Sequence, residues 1–144
     1  MENWAPSSRL IIPSMGMDAF LNSNIKQMTA SETFEALKSD DVRLLDVRQA
    51  DEMKQASIPG SIKLCIADLN EENLAAAGLG DERKHRHIIV HCHSGGRSQR
   101  ACKAMKKWGY EMVVNLDGGI VDWRNMGYVI ESGKASSLSD AIDD

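Results

Sequence analysis

His87-Ile88-Ile89-Val90-His91-Cys92-His93-Ser94-Gly95-Gly96-Arg97-Ser98 is the stretch whose reading decides the fold. Its apolar, β-branched start ends at a cysteine, a glycine-containing turn follows, and helical periodicity begins directly behind, which predicts strand, loop and helix. Ala101, Ala104, Met105 and Trp108 fall at i, i+3, i+4 and i+7 and make one apolar stripe, with Lys103, Lys106 and Lys107 on the other face. Gly109 stands where a helix commonly stops. Met112 to Leu116 reads as the next strand, so the unit is a strand, a crossover helix and a parallel strand. Cys92 is thereby placed at the carboxyl end of a parallel strand, where open α/β sheets bind their ligands.

The loop gives that cysteine a chemistry. Gly95 and Gly96 carry no Cβ, so the backbone can curl through positive φ and turn successive N–H groups inward. A helix opening near Ser98 adds unpaired N–H groups and the positive end of its dipole. Such a cup lowers a thiol pKa and stabilises an anionic adduct on the sulfur. Read from the residues alone, Cys92 is a nucleophile in an anion-binding loop.

Cys92-His93-Ser94-Gly95-Gly96-Arg97-Ser98 resembles the Cys-x-x-Gly-x-Arg-Ser active-site loop of the rhodanese-like sulfurtransferases. Three further stretches are similar to that family's motifs in the right order: Leu44-Leu45-Asp46-Val47-Arg48 with Glu52 beyond it, Ile58-Pro59-Gly60-Ser61-Ile62, and Asn115-Leu116-Asp117-Gly118-Gly119-Ile120 with Trp123 after it. Ala56 and Ser57 stand where the second of these usually carries glycine and histidine. The resemblance spans about residues 25 to 130. It implies a three-layer α/β/α sandwich around a mainly parallel sheet, and a double displacement in which Cys92 takes sulfur from a small anionic donor such as thiosulfate as a persulfide. The sulfur then passes to a thiophilic acceptor: cyanide, a thiol or a protein. By the same resemblance His93, Ser94, Gly95, Gly96, Arg97 and Ser98 hold the donor, Asp46 and Arg48 support the site, and no metal or organic cofactor is needed.

Three other functions remain in contention. The loops of cysteine-dependent phosphatases and arsenate reductases also cradle a tetrahedral anion, but they place five residues between cysteine and arginine. Here four, His93 to Gly96, intervene, and a shorter loop makes a narrower cup suited to sulfur. A non-catalytic partner-binding domain is the second, although the loop retains its cysteine and arginine. A persulfide carrier dedicated to one acceptor protein is the third.

The length of 144 residues suits one domain with one core, and the composition is that of a soluble globular protein. A formal charge of −4 argues against general nucleic-acid binding, yet Arg97, Arg100, Lys103, Lys106 and Lys107 cluster on and behind the loop, a field that suits a small anion or an acidic partner. Three cysteines, Cys65, Cys92 and Cys102, lack the dense even pattern of a disulfide scaffold and indicate a reducing compartment. No signal-peptide pattern or membrane-length apolar run is present, so the expectation is a cytoplasmic protein without membrane contact.

In chain order, residues 1–22 read as a partly ordered extension, 23–131 as the domain and 132–144 as a mobile acidic tail. Ile25 to Met28 reads as a first strand, and Thr29-Ala30-Ser31-Glu32 as a capping box opening a helix with Phe34 and Leu37 on its apolar side. Val42 to Val47 is a strand covered on both faces, placing Asp46 and Arg48 on the same rim as Cys92. A short helix spans about Asp51 to Gln55, Pro59-Gly60 makes a turn, and Ser61 to Leu64 is a brief strand. Asp68 to Ala77 reads as a helix, Gly80 to Lys84 as a solvated loop, and Ile120 to about Gly127 as the last helix.

Among the other chemistry-bearing residues, Cys102 adjoins the helix stripe and reads as core; Cys65, at a strand end, reads as a thiol without a redox role ahead of the alternative of a resolving thiol on the same rim. His85, His87, His91 and His93 lack the spacing of a known metal site. Arg97 has two open readings, as a contact to the donor or as a brace on a carboxylate such as Asp46 or Glu52.

Overall fold

Strands that are apolar at successive positions need cover on both faces, and the chain supplies it with two layers of helices. The computed structural model describes residues 25–132. Five strands, β1 Lys26–Met28, β2 Arg43–Asp46, β3 Ile62–Lys63, β4 Ile88–His91 and β5 Val113–Leu116, form one sheet in the order β1-β5-β4-β2-β3. Every neighbouring pair is parallel. The helices are α1 Ala30–Ala36, α2 Ala50–Gln55, α3 Glu71–Ala76, α4 Gly96–Lys107 and α5 Gly119–Asn125.

Side-chain alternation along the central strands sorts the core into two halves. On one face Leu44, Ile89 and Leu116 pack with Ala30 of α1 and with Ile120 and Trp123 of α5. On the other Leu45, Val90 and Val113 pack with Leu74 of α3 and with Ala101, Cys102 and Met105 of α4. Each such buried Leu, Ile, Val or Met contributes about 1.5–3 kcal/mol of transfer free energy. The result is the expected three-layer α/β/α sandwich. From β2 the chain moves outward to β3, then crosses to β4 on the far side of β2, so the loops after β2 and β4 part at this point of the carboxyl edge, where open α/β sheets bind their ligands. Cys92 follows β4 directly.

The Thr29 box forms as read: Thr29 Oγ1 accepts the Glu32 N–H at 3.1 Å and Glu32 Oε1 accepts the Thr29 N–H at 2.9 Å. Several expectations shift. Helix α4 opens at Gly96 rather than Ser98, because Gly95 takes a left-handed backbone at φ 119° and turns the chain into the helix earlier. Phe34 is 36% exposed, while Ala30 and Thr33 form the buried side of α1. The Phe34 ring stacks on Tyr128 with centroids 4.3 Å apart instead of entering the core.

The stretch read as one helix from Asp68 divides into a 3-10 turn, Ile66–Asp68, and α3, whose start Asn70 fixes by accepting the Asn73 N–H at 2.7 Å. The loop read as solvated contains the 3-10 turn Asp81–Arg83. Arg83 in it is buried, with Nη1 3.2 Å from Asp41 Oδ1 and Nη2 donating to the Asp41 carbonyl at 2.6 Å. The expectations for residues 1–22 and for the tail beyond Ser132 lie outside the described residues.

Candidate active site

The sulfur of Cys92 is the point on which loop donors converge. The N–H of Gly95 donates to Sγ at 3.1 Å and that of Ser98 at 3.4 Å, and the Ser98 hydroxyl oxygen stands 3.4 Å away. Burial by itself pushes the Cys92 thiol up. The Ser98 hydroxyl and the N–H groups of Ser98, Gly95 and Arg97 outweigh it and bring the pKa below that of an ordinary cysteine. Cys92 is 1% exposed, so the sulfur lies at the floor of the cup, while His93, Ser94 and Gly96 are exposed above it. Cys102 has no such donors, and burial drives its thiol well above the ordinary range. Cys65 is a half-buried free thiol before the first 3-10 turn.

What aims the amides is the helix that follows β5. The N–H of Ile120 donates to the Cys92 carbonyl at 3.0 Å, and the N–H of Val121 to the His93 carbonyl at 3.2 Å. With both carbonyls held by the first turn of α5, the loop curls so that its later N–H groups face the sulfur. Such an approach requires glycine at position 119. A Cβ there would stand 2.4 Å from the His93 oxygen and 2.5 Å from the Cys92 oxygen, and the backbone sits at φ 57°.

Arg97 takes the bracing geometry. Its Nη1 and Nη2 donate to Glu52 Oε1 and Oε2 at 2.6 and 2.9 Å, a two-point pair that fastens the start of α4 to α2. The Arg97 guanidinium is the main cause that pulls the Glu52 carboxyl down to about 2. Glu52 Oε1 also accepts the Gln49 N–H at 2.9 Å, capping α2.

Asp46 and Arg48 stand at the carboxyl edge of β2, level with Cys92, as the sequence placed them. Both are buried: Arg48 Nη2 donates to Asp46 Oδ2 at 2.8 Å and Nε to Oδ1 at 3.0 Å. Arg48 Nη2 also donates to the Ala56 carbonyl at 2.7 Å, so the residue standing where relatives usually have glycine serves through its main chain. Ser57 likewise pairs through its backbone, exchanging two 2.8 Å hydrogen bonds with Glu131. His91 is in register with Asp46 and shares its face of the sheet. Burial pushes the His91 ring down, which keeps it neutral at pH 7, and Nδ1 lies 3.2 Å from the Cys92 carbonyl. Among the described residues no three His, Cys, Asp or Glu side chains gather as a metal site.

The sequence reading missed Asn115 as a site residue. It stands on β5 between Val90 of β4 and Gln27 of β1, and its Oδ1 accepts the Ser98 hydroxyl at 2.5 Å. The available signal was a polar residue inside a buried apolar strand, at a position whose alternation matches Val113 and therefore the α4 face. Glu52 was read as part of a motif and as one of two partners for Arg97, and Gly119 only as part of a motif; both contacts join segments distant in sequence.

A parallel α/β sandwich with a thiol held by loop amides at the carboxyl edge of its sheet is the class that fold and site define. The sequence model of the Rhodanese-like domain matches residues 29–126, and the chain belongs to that family. It is similar to a sulfurtransferase of Allochromatium vinosum, at 34% identity over 92 residues that cover 64% of this chain and 80% of that protein. It is also similar to a putative sulfur carrier protein of Bacillus subtilis, at 32% identity over 112 residues that cover 78% of this chain and 51% of that one, about half its length. Among solved structures, a Rhodopseudomonas palustris protein of unknown function, described as a possible tyrosine phosphatase, matches with a TM-score of 0.66 at 26% identity, covering 83% of this chain and 97% of that one. No helix among the described residues is long and apolar enough to cross a membrane.

Proposed function

We propose that this protein is a sulfurtransferase that carries sulfane sulfur as a persulfide on Cys92. The observation that carries this reading is the convergence of the Gly95 and Ser98 N–H groups on Sγ, a donor set that favours an ionised sulfur. The Cys92 thiolate attacks the outer sulfur of thiosulfate, a Cys92 Sγ–S bond forms, and sulfite leaves with the electron pair of the broken S–S bond. The negative charge then rests on the outer sulfur, among the N–H groups of the loop from His93 to Ser98. A thiophilic acceptor, cyanide in an assay and a thiol or protein in the cell, attacks that outer sulfur and returns Cys92 as thiolate. Arg97 serves this reaction by fixing the loop on Glu52, and Asp46 and Arg48 by fixing the end of β2. The names of the Allochromatium and Bacillus relatives support sulfur chemistry over phosphate chemistry. Free thiols at positions 65, 92 and 102 accord with a reducing compartment such as the cytoplasm.

The test is intact-protein mass spectrometry after thiosulfate treatment and desalting. A single reactive thiolate gains one sulfur, about 32 Da, in the wild type, and Cys92→Ser gains none. An unchanged wild-type mass, or an adduct that survives the substitution, overturns the reading. Hydrolysis of p-nitrophenyl phosphate by such a sulfur-free protein would replace it with the phosphatase alternative.

A further inference from the structure

The Ser98 hydroxyl has one proton and three acceptors around it: Asn115 Oδ1 at 2.5 Å, the Gly95 carbonyl at 3.2 Å and Cys92 Sγ at 3.4 Å. The orientation of the Asn115 amide is not free. Its Nδ2 donates to Gln27 Oε1 at 2.8 Å and to Gln99 Oε1 at 3.3 Å, which leaves Oδ1, a group without a proton, facing Ser98. Gln27 is in turn held by its own Nε2, which donates to Gln99 Oε1 at 2.7 Å. The shortest contact therefore competes most strongly for the Ser98 proton, and while Asn115 holds that proton the hydroxyl presents lone pairs towards the sulfur. A thiol can donate into those lone pairs, whereas a thiolate needs the hydroxyl to swing round and leave Asn115 Oδ1 against a bare oxygen.

We infer that Asn115 is a positioning residue that competes with Cys92 for the Ser98 proton and so limits how far the loop donors ionise the resting sulfur. The inference rests on the reading of Cys92 as the reactive sulfur, and it deepens that reading. The backbone donors of Gly95 and Ser98 act on the sulfur at all times, but the hydroxyl reaches it only at the expense of Asn115. Once an outer sulfur is attached, Sγ is uncharged and the proton returns to Asn115. The same contact thus opposes the free thiolate and is compatible with the loaded state.

The other ionisable groups acting on or beside Cys92 are accounted for. Arg97 on α4 is tied to Glu52, and Cys102 on α4 is held protonated by burial. His91 on β4 is buried and neutral, and His93 on the loop is exposed and common to every protein compared below.

The experiment is the rate of alkylation by iodoacetamide against pH, which reads thiol ionisation and requires no sulfur transfer. It is made on the wild type, Asn115→Leu, Ser98→Ala and the double variant, each with Cys65→Ser and Cys102→Ala so that one thiol reports. The expected result is an alkylation midpoint moved down in Asn115→Leu, with the rate on the acid side raised about threefold or more. The effect should vanish when Ser98 is already alanine. A midpoint unchanged or raised, or the same shift in the absence of Ser98, overturns the inference. Should Asn115→Leu not fold, Gln27→Leu with Gln99→Leu releases the amide to turn its Nδ2 towards Ser98. The midpoint is expected to fall there too, and a midpoint that stays or rises is contrary. A failed persulfide test with a normal alkylation response would remove the sulfurtransferase reading and leave the positioning role standing.

Discussion

At the scale of single residues, the pairing of Arg97 with Glu52 links the chemistry to stability. The Glu52 carboxyl is lowered from an ordinary 4.5 to about 2, with the Arg97 hydrogen bonds as the main cause. A carboxylate with a depressed folded-state pKa contributes stability that is fully present above 4.5 and is lost as pH falls towards about 2. Its side chain is 29% exposed, so water takes part of the gain, and we expect Glu52→Gln to cost about 1–2 kcal/mol at neutral pH. Urea unfolding should show most of that gap lost by about pH 2, where Glu52 in the folded wild type is half protonated. A gap of the same size at both pH values would mean that the charge is not what holds Arg97. The glutamine can still accept the Gln49 N–H, so the α2 cap is kept and the comparison isolates the ion pair.

At the scale of elements, α5 is the part that shapes the loop, through a contact only glycine permits. Gly119→Ala places a methyl 2.4–2.6 Å from backbone atoms of Cys92 and His93 at a positive φ, and neither chain can yield without moving the site. We expect it to cost more than about 2 kcal/mol by thermal unfolding and to reduce alkylation of Cys92 as well. Gly96→Ala is the control: a Cβ there meets nothing within 4 Å and φ is not positive, so its stability should change by less than about 1 kcal/mol. Equal losses in the two would show that the loop, rather than the α5 contact, is sensitive. This difference also marks what the sequence could tell. Strand β4, the Thr29 box and the stop at Gly109 are written in neighbouring residues, where periodicity and capping act. The closeness of Gly119 to Cys92, the grip of Glu52 on Arg97 and the Asn115 contact to Ser98 join segments 17 to 45 residues apart, and only the packed sheet brings them together. The buried Arg83 escaped notice for the same reason: its partner Asp41 lies 42 residues away.

At the scale of the whole molecule, overall charge and local field have opposite signs. The chain carries a formal charge of −4, yet α4 holds Arg97, Arg100, Lys103, Lys106 and Lys107 without an acidic residue. Of these five, only Arg97 enters an ion pair among the described residues. The remaining four leave a cationic strip running back from the loop, and the N-terminus of α4 adds its dipole in the same sense. With a rise of 1.5 Å per residue, Arg100 and Lys103 lie about 6 and 10 Å along the axis from Gly96, within a Debye length of about 10 Å at 0.1 M salt. A dianion such as thiosulfate is therefore drawn towards the cup before it touches it. Replacing Arg100 and Lys103 together by Glu should raise the KM for thiosulfate about three- to tenfold at low ionic strength with kcat little changed, and the difference should shrink to less than about twofold near 0.5 M salt. Initial rates measured across a salt series decide it. A KM difference that persists at high salt would place these side chains in direct contact with the donor, and no difference at low salt would mean that the loop amides alone attract it.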